Sequence, residues 1–182
     1  MMALKATIHK AAVNIADMNR HYFSDVGLVL AQHPSETPQR MMLRLLAWIC
    51  HADDRLEFSK GLSAEDEPAL WRHNDRGEPE LWIEVGLPEE KRLRRACHQA
   101  RQVVLYAYND RAARVWWQQN GTALAQLDNL AVRFLNDQQL TQLAGLAQRT
   151  MNLQATLQDN LLWLSDERQQ LELSFQEWKT AL

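Results

Sequence analysis

The sequence predicts an α/β fold, with a central mixed β-sheet flanked by helices and extra strands from both termini. Three observations predict it. A strand bearing a carboxylate (LWIEVG, from Leu81), a proline-opened basic helix and a buried strand (VVLYAY, from Val103) follow one another directly. That is the order of a right-handed crossover to a parallel neighbour. Both ends of the chain alternate apolar and polar residues in short runs, as half-buried strands do. With 182 residues, 46% of them hydrophobic and only six glycines and five prolines, the chain suits one globular domain over 1–182 that can bury its own core.

Taken in order, residues 4 to 16 show two overlapping phases. Leu4, Ala6 and Ile8 stand in one, Ala11, Val13 and Ile15 in the other, which predicts a strand with a bulge. A turn at Asp17 to Arg20 leads to a partner strand over 22–32, closing an N-terminal hairpin. Ser35 has the chemistry of a helix N-cap, with Glu36 and Pro38 in the first turn and Met41, Met42, Leu45, Leu46 and Ile49 recurring at helical spacing. Glu36, Arg40 and Arg44 lie four residues apart on the remaining face, the spacing of an ion-pair ladder.

LEFSKGLS, from Leu56, reads as a strand ending near Gly61, followed by the acid-rich SAEDEP. A second hairpin runs from Leu70 to Asn74, turns at Asp75 to Pro79 and returns from Leu81 to Val85. In that return strand Trp82, Glu84 and Gly86 share one face, so a carboxylate sits where burial is expected and needs a partner, a cation or an exit to water. Pro88 opens the basic helix, whose inner face is Leu93, Ala96, Cys97 and Ala100 and whose other faces carry Lys91, Arg92, Arg94, Arg95 and Arg101. A short helix around RAARVWWQQN, ending near Asn120-Gly121, a strand NLAVRFL, a helix capped by Asp137 and a three-stranded C-terminal meander complete the chain.

Composition narrows function. A net charge of -3 argues against general attraction to nucleic acid or acidic lipid, so any polyanion contact is focal. The longest clearly apolar run is LLAWIC, residues 45 to 50, too short to span a membrane, and the first residues lack a signal-type apolar core. A cytoplasmic monomer without membrane contact is expected, and two distant cysteines, Cys50 and Cys97, suit a reducing compartment. There is no GxSxG, no glycine-rich phosphate loop and no HExxH, and the six histidines never adopt metal-ligand spacing. The seven tryptophans fit core positions, with Trp116-Trp117 read as one core and one boundary residue.

The order helix, strand, strand, strand, helix, strand over residues 35 to 108 resembles the core of the PD-(D/E)XK nuclease-type fold. More specifically, KATIHKAAVNIAD, HPSETPQRMMLRLLAW, DEPALW, LWIEVGLPEEKR and WLSDE, in that order, resemble the YaeQ family over essentially the whole chain. The nuclease resemblance implies a proline-acid slot, an acid-x-lysine slot and a helical glutamate, which together hold a divalent metal and orient water. Here Pro68-Ala69 fills the first, Glu84-Val85-Gly86 the second and Glu36 the third, so one ligand and the lysine are replaced. The resemblance therefore implies a degenerate acidic cleft of Glu36, Asp66, Glu67 and Glu84. Asp66, Glu67 and Glu84 would face Mg2+ or Mn2+, Lys91 would reach back to supply charge, and Arg92, Arg94 and Arg95 would contact nucleic acid. The rival expectation is a non-catalytic binding or structural module whose carboxylates pair with arginines and Lys91. If the cleft is active at all, its chemistry is metal-dependent phosphodiester hydrolysis, and the two replacements favour inactivity.

Overall fold

The computed structural model describes residues 5–60 and 66–182. It bears out the α/β class, with mixed sheets and helices, and corrects the sheet plan. Instead of one central sheet with terminal additions, the strands make two sheets, of five and six strands. The chain divides into two compact units, Met1–Cys50 with Gln138–Phe175, and His51–Asp137 with Gln176–Leu182.

In the first unit, β1 (Thr7–Asp17) and β2 (Tyr22–Gln32) form the expected hairpin. The expected bulge is absent: all eleven positions of β1 pair in unbroken register, from Thr7 opposite Gln32 to Asp17 opposite Tyr22. The apparent second phase arose from Ile8, which is exposed, while His9 occupies the buried row with Ala11, Val13, Ile15 and Asp17. His9 is tolerated there because its ring nitrogens meet the Gln148 carbonyl at 2.9 Å and the Gln32 Oε1 at 3.0 Å. Asp17 closes the hairpin by accepting from the backbone N–H of Asn19 and Arg20.

The C-terminal meander forms from β8 (Thr150–Gln158), β9 (Leu161–Ser165) and β10 (Gln170–Ser174), but its last strand is shorter than expected, because Gln176–Lys179 is a separate strand of the other sheet. The first strand of the meander pairs in parallel with β1, giving the order β10-β9-β8-β1-β2. One face of this sheet is buried through Met151, Leu153, Ala155, Leu162 and Leu164. The helix α1 (Pro38–Cys50) has an unbroken buried run from Met41 to Ile49. Its N-cap is Thr37, whose hydroxyl accepts from the Arg40 N–H, rather than Ser35, which bonds His33 instead. Proline fits the first helical position because it has no N–H to satisfy, so the cap falls on the residue before Pro38.

In the second unit, β3 (Glu57–Phe58) is only two residues long, and its expected end near Gly61 and the first half of the acid-rich stretch, 63–65, lie outside the described residues. β4 (Leu70–His73), β5 (Pro79–Val85), β6 (Gln102–Ala107), β7 (Leu130–Phe134) and β11 (Gln176–Lys179) complete the order β11-β7-β6-β5-β4-β3. β5, β6 and β7 are parallel, as the crossover pattern predicts. Consecutive burial from Leu81 to Val85 and from Val103 to Ala107 marks strands covered on both faces. On one face α2 (Glu90–Gln99) and α3 (Asp110–Leu124) supply Leu93, Ala96, Trp116 and Leu124, which pack with Trp82, Val103, Leu105, Leu130 and Val132.

Two boundaries differ from expectation. The basic helix starts at Glu90, two residues beyond Pro88. α3 runs through Asn120-Gly121 instead of ending there, because Gly121 serves packing: a Cβ would lie 3.1 Å from the Trp117 ring. That ring in turn lies against Trp116 and Trp178, which agrees with the core-plus-boundary reading of the pair. α4 (Asp137–Ala144) stops before Gly145, and Asp137 accepts from the Asp110 N–H while Asp110 returns the favour to Asp137, a reciprocal exchange between two helix starts.

Candidate functional site

Glu84 projects from β5 toward the side covered by α2 and α3, in the same row as Trp82 and Leu105. It is 6% exposed, and Oε1 accepts from the indole Nε1 of Trp82 and the Nε of Arg92, both at 2.9 Å. The geometry follows from sequence spacing. Period two places Trp82 and Glu84 on one face, and the Gly86 to Glu89 connection brings the first turn of α2 back over the strand end. Arg92 also donates from Nη2 to the Glu67 carbonyl at 2.7 Å, so one guanidinium ties β5 to the segment leading into β4.

The remaining members of the expected cleft are arranged differently. Glu67 offers this site its backbone, whereas its carboxylate accepts from the Lys60 N–H at 3.2 Å. Asp66 and Lys91 are exposed. Ala69, in the proline-acid slot, is buried and donates its N–H to Ile83. Gly86, in the lysine slot, has φ +118° and open space where a side chain would begin. Glu36 belongs to the first unit. There it is buried between Arg40, at 2.5 Å, and Arg44, which reaches both carboxylate oxygens at 2.6 and 2.9 Å and the Ala31 carbonyl at 3.0 Å. The Glu36-Arg40-Arg44 spacing thus makes a buried clamp.

A hard cation needs several free oxygens, whereas Glu84 Oε1 already accepts two N–H bonds and faces a fixed positive charge. No group of three or more His, Cys, Asp or Glu side chains is placed to hold a metal among the described residues. What the arrangement does chemically is neutralise a buried carboxylate and fix the α2 start against the sheet.

The exposed side of α2 carries Lys91, Arg94, Arg95 and His98, with Arg101 just beyond its end. Arg94 is paired with Glu90 one turn back. On the buried side, burial pushes the Cys97 thiol up to about 11, with Lys179 and Arg94 pulling it down less strongly. Sequence reasoning missed one polar cluster. Tyr106, fully buried on β6, has its hydroxyl 2.7 Å from His51 Nε2 and 2.9 Å from Arg133 Nη1, and Arg133 continues to Glu177. The signal was the tyrosine within VVLYAY, since a buried phenol needs a partner.

The family model described as "YaeQ protein" matches residues 2–175. The chain belongs to the YaeQ family. It is 58% identical over 178 residues to the "Uncharacterized protein YaeQ" of Salmonella typhi and 54% identical to that of Escherichia coli strain K12, each match covering 98% of both chains. Similar solved structures include the YaeQ protein from Xanthomonas axonopodis pv. citri, with a TM-score of 0.94, 41% identity and coverage of 97% of this chain and 99% of that one. The YaeQ protein from Pseudomonas syringae has a TM-score of 0.92 and 31% identity, covering 96% and 97%. No helix among the described residues is long and apolar enough to cross a membrane.

Proposed function

We propose that this chain is a non-catalytic binding module in which the carboxylates at nuclease-like positions serve architecture. The observation that carries this reading is the Glu84 environment, where a guanidinium and an indole N–H both occupy Oε1 and the guanidinium already balances the charge. Glu36, clamped by Arg40 and Arg44, supports it independently. Calorimetry with Mg2+ and Mn2+ on the wild type and Glu84→Gln is the test. The reading expects no saturable heat from either protein. Wild-type binding that Glu84→Gln abolishes would overturn it.

A second reading keeps a degenerate nuclease-like cleft on a PD-(D/E)XK-like core that touches nucleic acid and holds Mg2+ or Mn2+. The α1-β3-β4-β5-α2-β6 order and the basic side of α2, with Lys91, Arg94 and Arg95 exposed, favour it. Arg92 contributes less, because its head group is committed to Glu84 and Glu67. A nicking assay on single- and double-stranded DNA and RNA separates the two: metal-dependent cleavage lost in Glu84→Gln supports the cleft.

A further inference from the structure

The five-stranded sheet of the first unit buries one face and leaves the other open. Strand register fixes what stands on the open face. Asp25, Asn14, Gln154, Ser165 and Gln170 are direct cross-strand neighbours in sequence across β2, β1, β8, β9 and β10. They form one polar row that crosses every strand of the sheet. The adjacent row begins Gly27, Ala12, Asn152, where the first two positions leave a floor nearly without side chains. A Cβ added to Gly27 would meet nothing within 4 Å. Above this floor lies a trough of about 680 Å3, within the range of about 300–1,000 Å3 usual for ligand sites.

Its walls combine polar side chains with apolar ones such as Val26 and Leu146. Here the polar row is mostly carboxamide, hydroxyl and carboxylate, and Asn14 Nδ2 donates to Asp25 Oδ1 at 2.7 Å, which orients both. Asp166 and Glu167 close the β9 end. The backbone N–H groups of Arg168 and Gln169 hold the Asp166 carboxyl below its ordinary range. No lysine or arginine lines the trough among the described residues. Lys10 stands across from the lining Thr150, Arg149 lies between the lining Gln148 and Thr150 in sequence, and Arg168 is turned toward Asp166. On the other side of the polar row stands Phe23, Ala16, Thr156, Trp163, with Phe23 61% exposed and Trp163 half-buried.

We infer that this face binds a neutral oligosaccharide. Paired sugar hydroxyls both donate and accept, and carboxamides and carboxylates complement them, while the C–H face of a pyranose packs on an aromatic ring. Strands about 4.8 Å apart repeat the polar row at close to the length of one sugar residue in an extended chain. Three carboxylates and the lack of a lining cation disfavour a polyanion. The site lies wholly within the first unit and stands whatever the role of Glu84.

Two-dimensional amide NMR of the full chain tests it, titrated separately with maltohexaose, cellohexaose, laminarihexaose and N-acetylchitohexaose, with a heparin hexasaccharide as the anionic arm. At least one neutral hexasaccharide shifts the amides of β1, β8 and β9 saturably, and Asn14→Ala and Gln154→Ala each weaken it about fivefold or more, the effect of one hydrogen bond. Trp163→Phe keeps an apolar ring and binding, whereas Trp163→Ala loses it. Both polar substitutions are at exposed positions, and an unchanged urea midpoint verifies their folding. The inference is overturned if none of the four sugars binds, if shifts map elsewhere, if Asn14→Ala and Gln154→Ala bind as the wild type does, or if heparin binds more tightly than every neutral sugar.

Discussion

Replacing Glu84 by Gln isolates what its charge does, because Gln keeps an oxygen able to accept from both Trp82 and Arg92. Charge-assisted hydrogen bonds contribute about 1.5–3 kcal/mol, against about 1 kcal/mol for neutral ones. The Arg92 side chain is 34% exposed, so solvent screening discounts the ion-pair part. The expected loss is about 1 kcal/mol, or about 2–4 °C in Tm for a chain of this size. Glu84→Ala should lose about 2–4 kcal/mol, since it orphans a buried indole N–H and a guanidinium. Urea denaturation with unchanged slope measures both, and a cycle with Arg92→Met should return a coupling near 1 kcal/mol. The opposite sign would refute the reasoning. Carboxylates assembled for a metal repel one another without it, so Glu84→Gln raising metal-free stability by about 1 kcal/mol would mean the residue is held for chemistry.

Gly86→Lys restores the acid-x-lysine spacing, yet it should lose about 1–3 kcal/mol through the φ of +118° alone, because space for the side chain is open. It should confer no cleavage in the nicking assay; metal-dependent cleavage that Glu84→Gln abolishes would show that the lysine alone was lacking. Cys97 provides a pH test. Its raised folded-state value favours the protonated thiol, so its contribution to stability is complete below about pH 9 and disappears as pH rises through about 11. Iodoacetamide should modify Cys97 in the folded chain with half-maximal rate near that value, and a profile centred at 9 would contradict it.

Local pattern carried much of the architecture. Alternation located β2, the two hairpins and the meander, and the apolar stripe located α1. What it could not carry was long-range pairing. Nothing in the period of residues 7–17 announces that β1 pairs in parallel with β8, nor that β11 adds to β7. The site was half legible for the same reason. The need for a partner at Glu84 follows from burying a charge, and Trp82 stands on its face by simple alternation. The identity of the partner depends on how far the Gly86–Glu89 turn carries Arg92 back, which is three-dimensional information. Ile8 illustrates another limit: an exposed isoleucine and a buried histidine exchanged their customary places, because hydrogen bonds to Gln148 and Gln32 made burial of the imidazole acceptable.

The pairing of β1 with β8 has a consequence for synthesis. His9 meets its carbonyl partner 139 residues later in the chain. The β1–β2 hairpin therefore waits with its β1 edge unpaired until residues 150–158 have been made. The second unit has a mostly contiguous stretch, 51–137, available to organise during that wait. The five-stranded sheet is thus the step of folding most exposed to interruption, and a ribosome stalled before residue 150 presents an unprotected edge to whatever lies nearby.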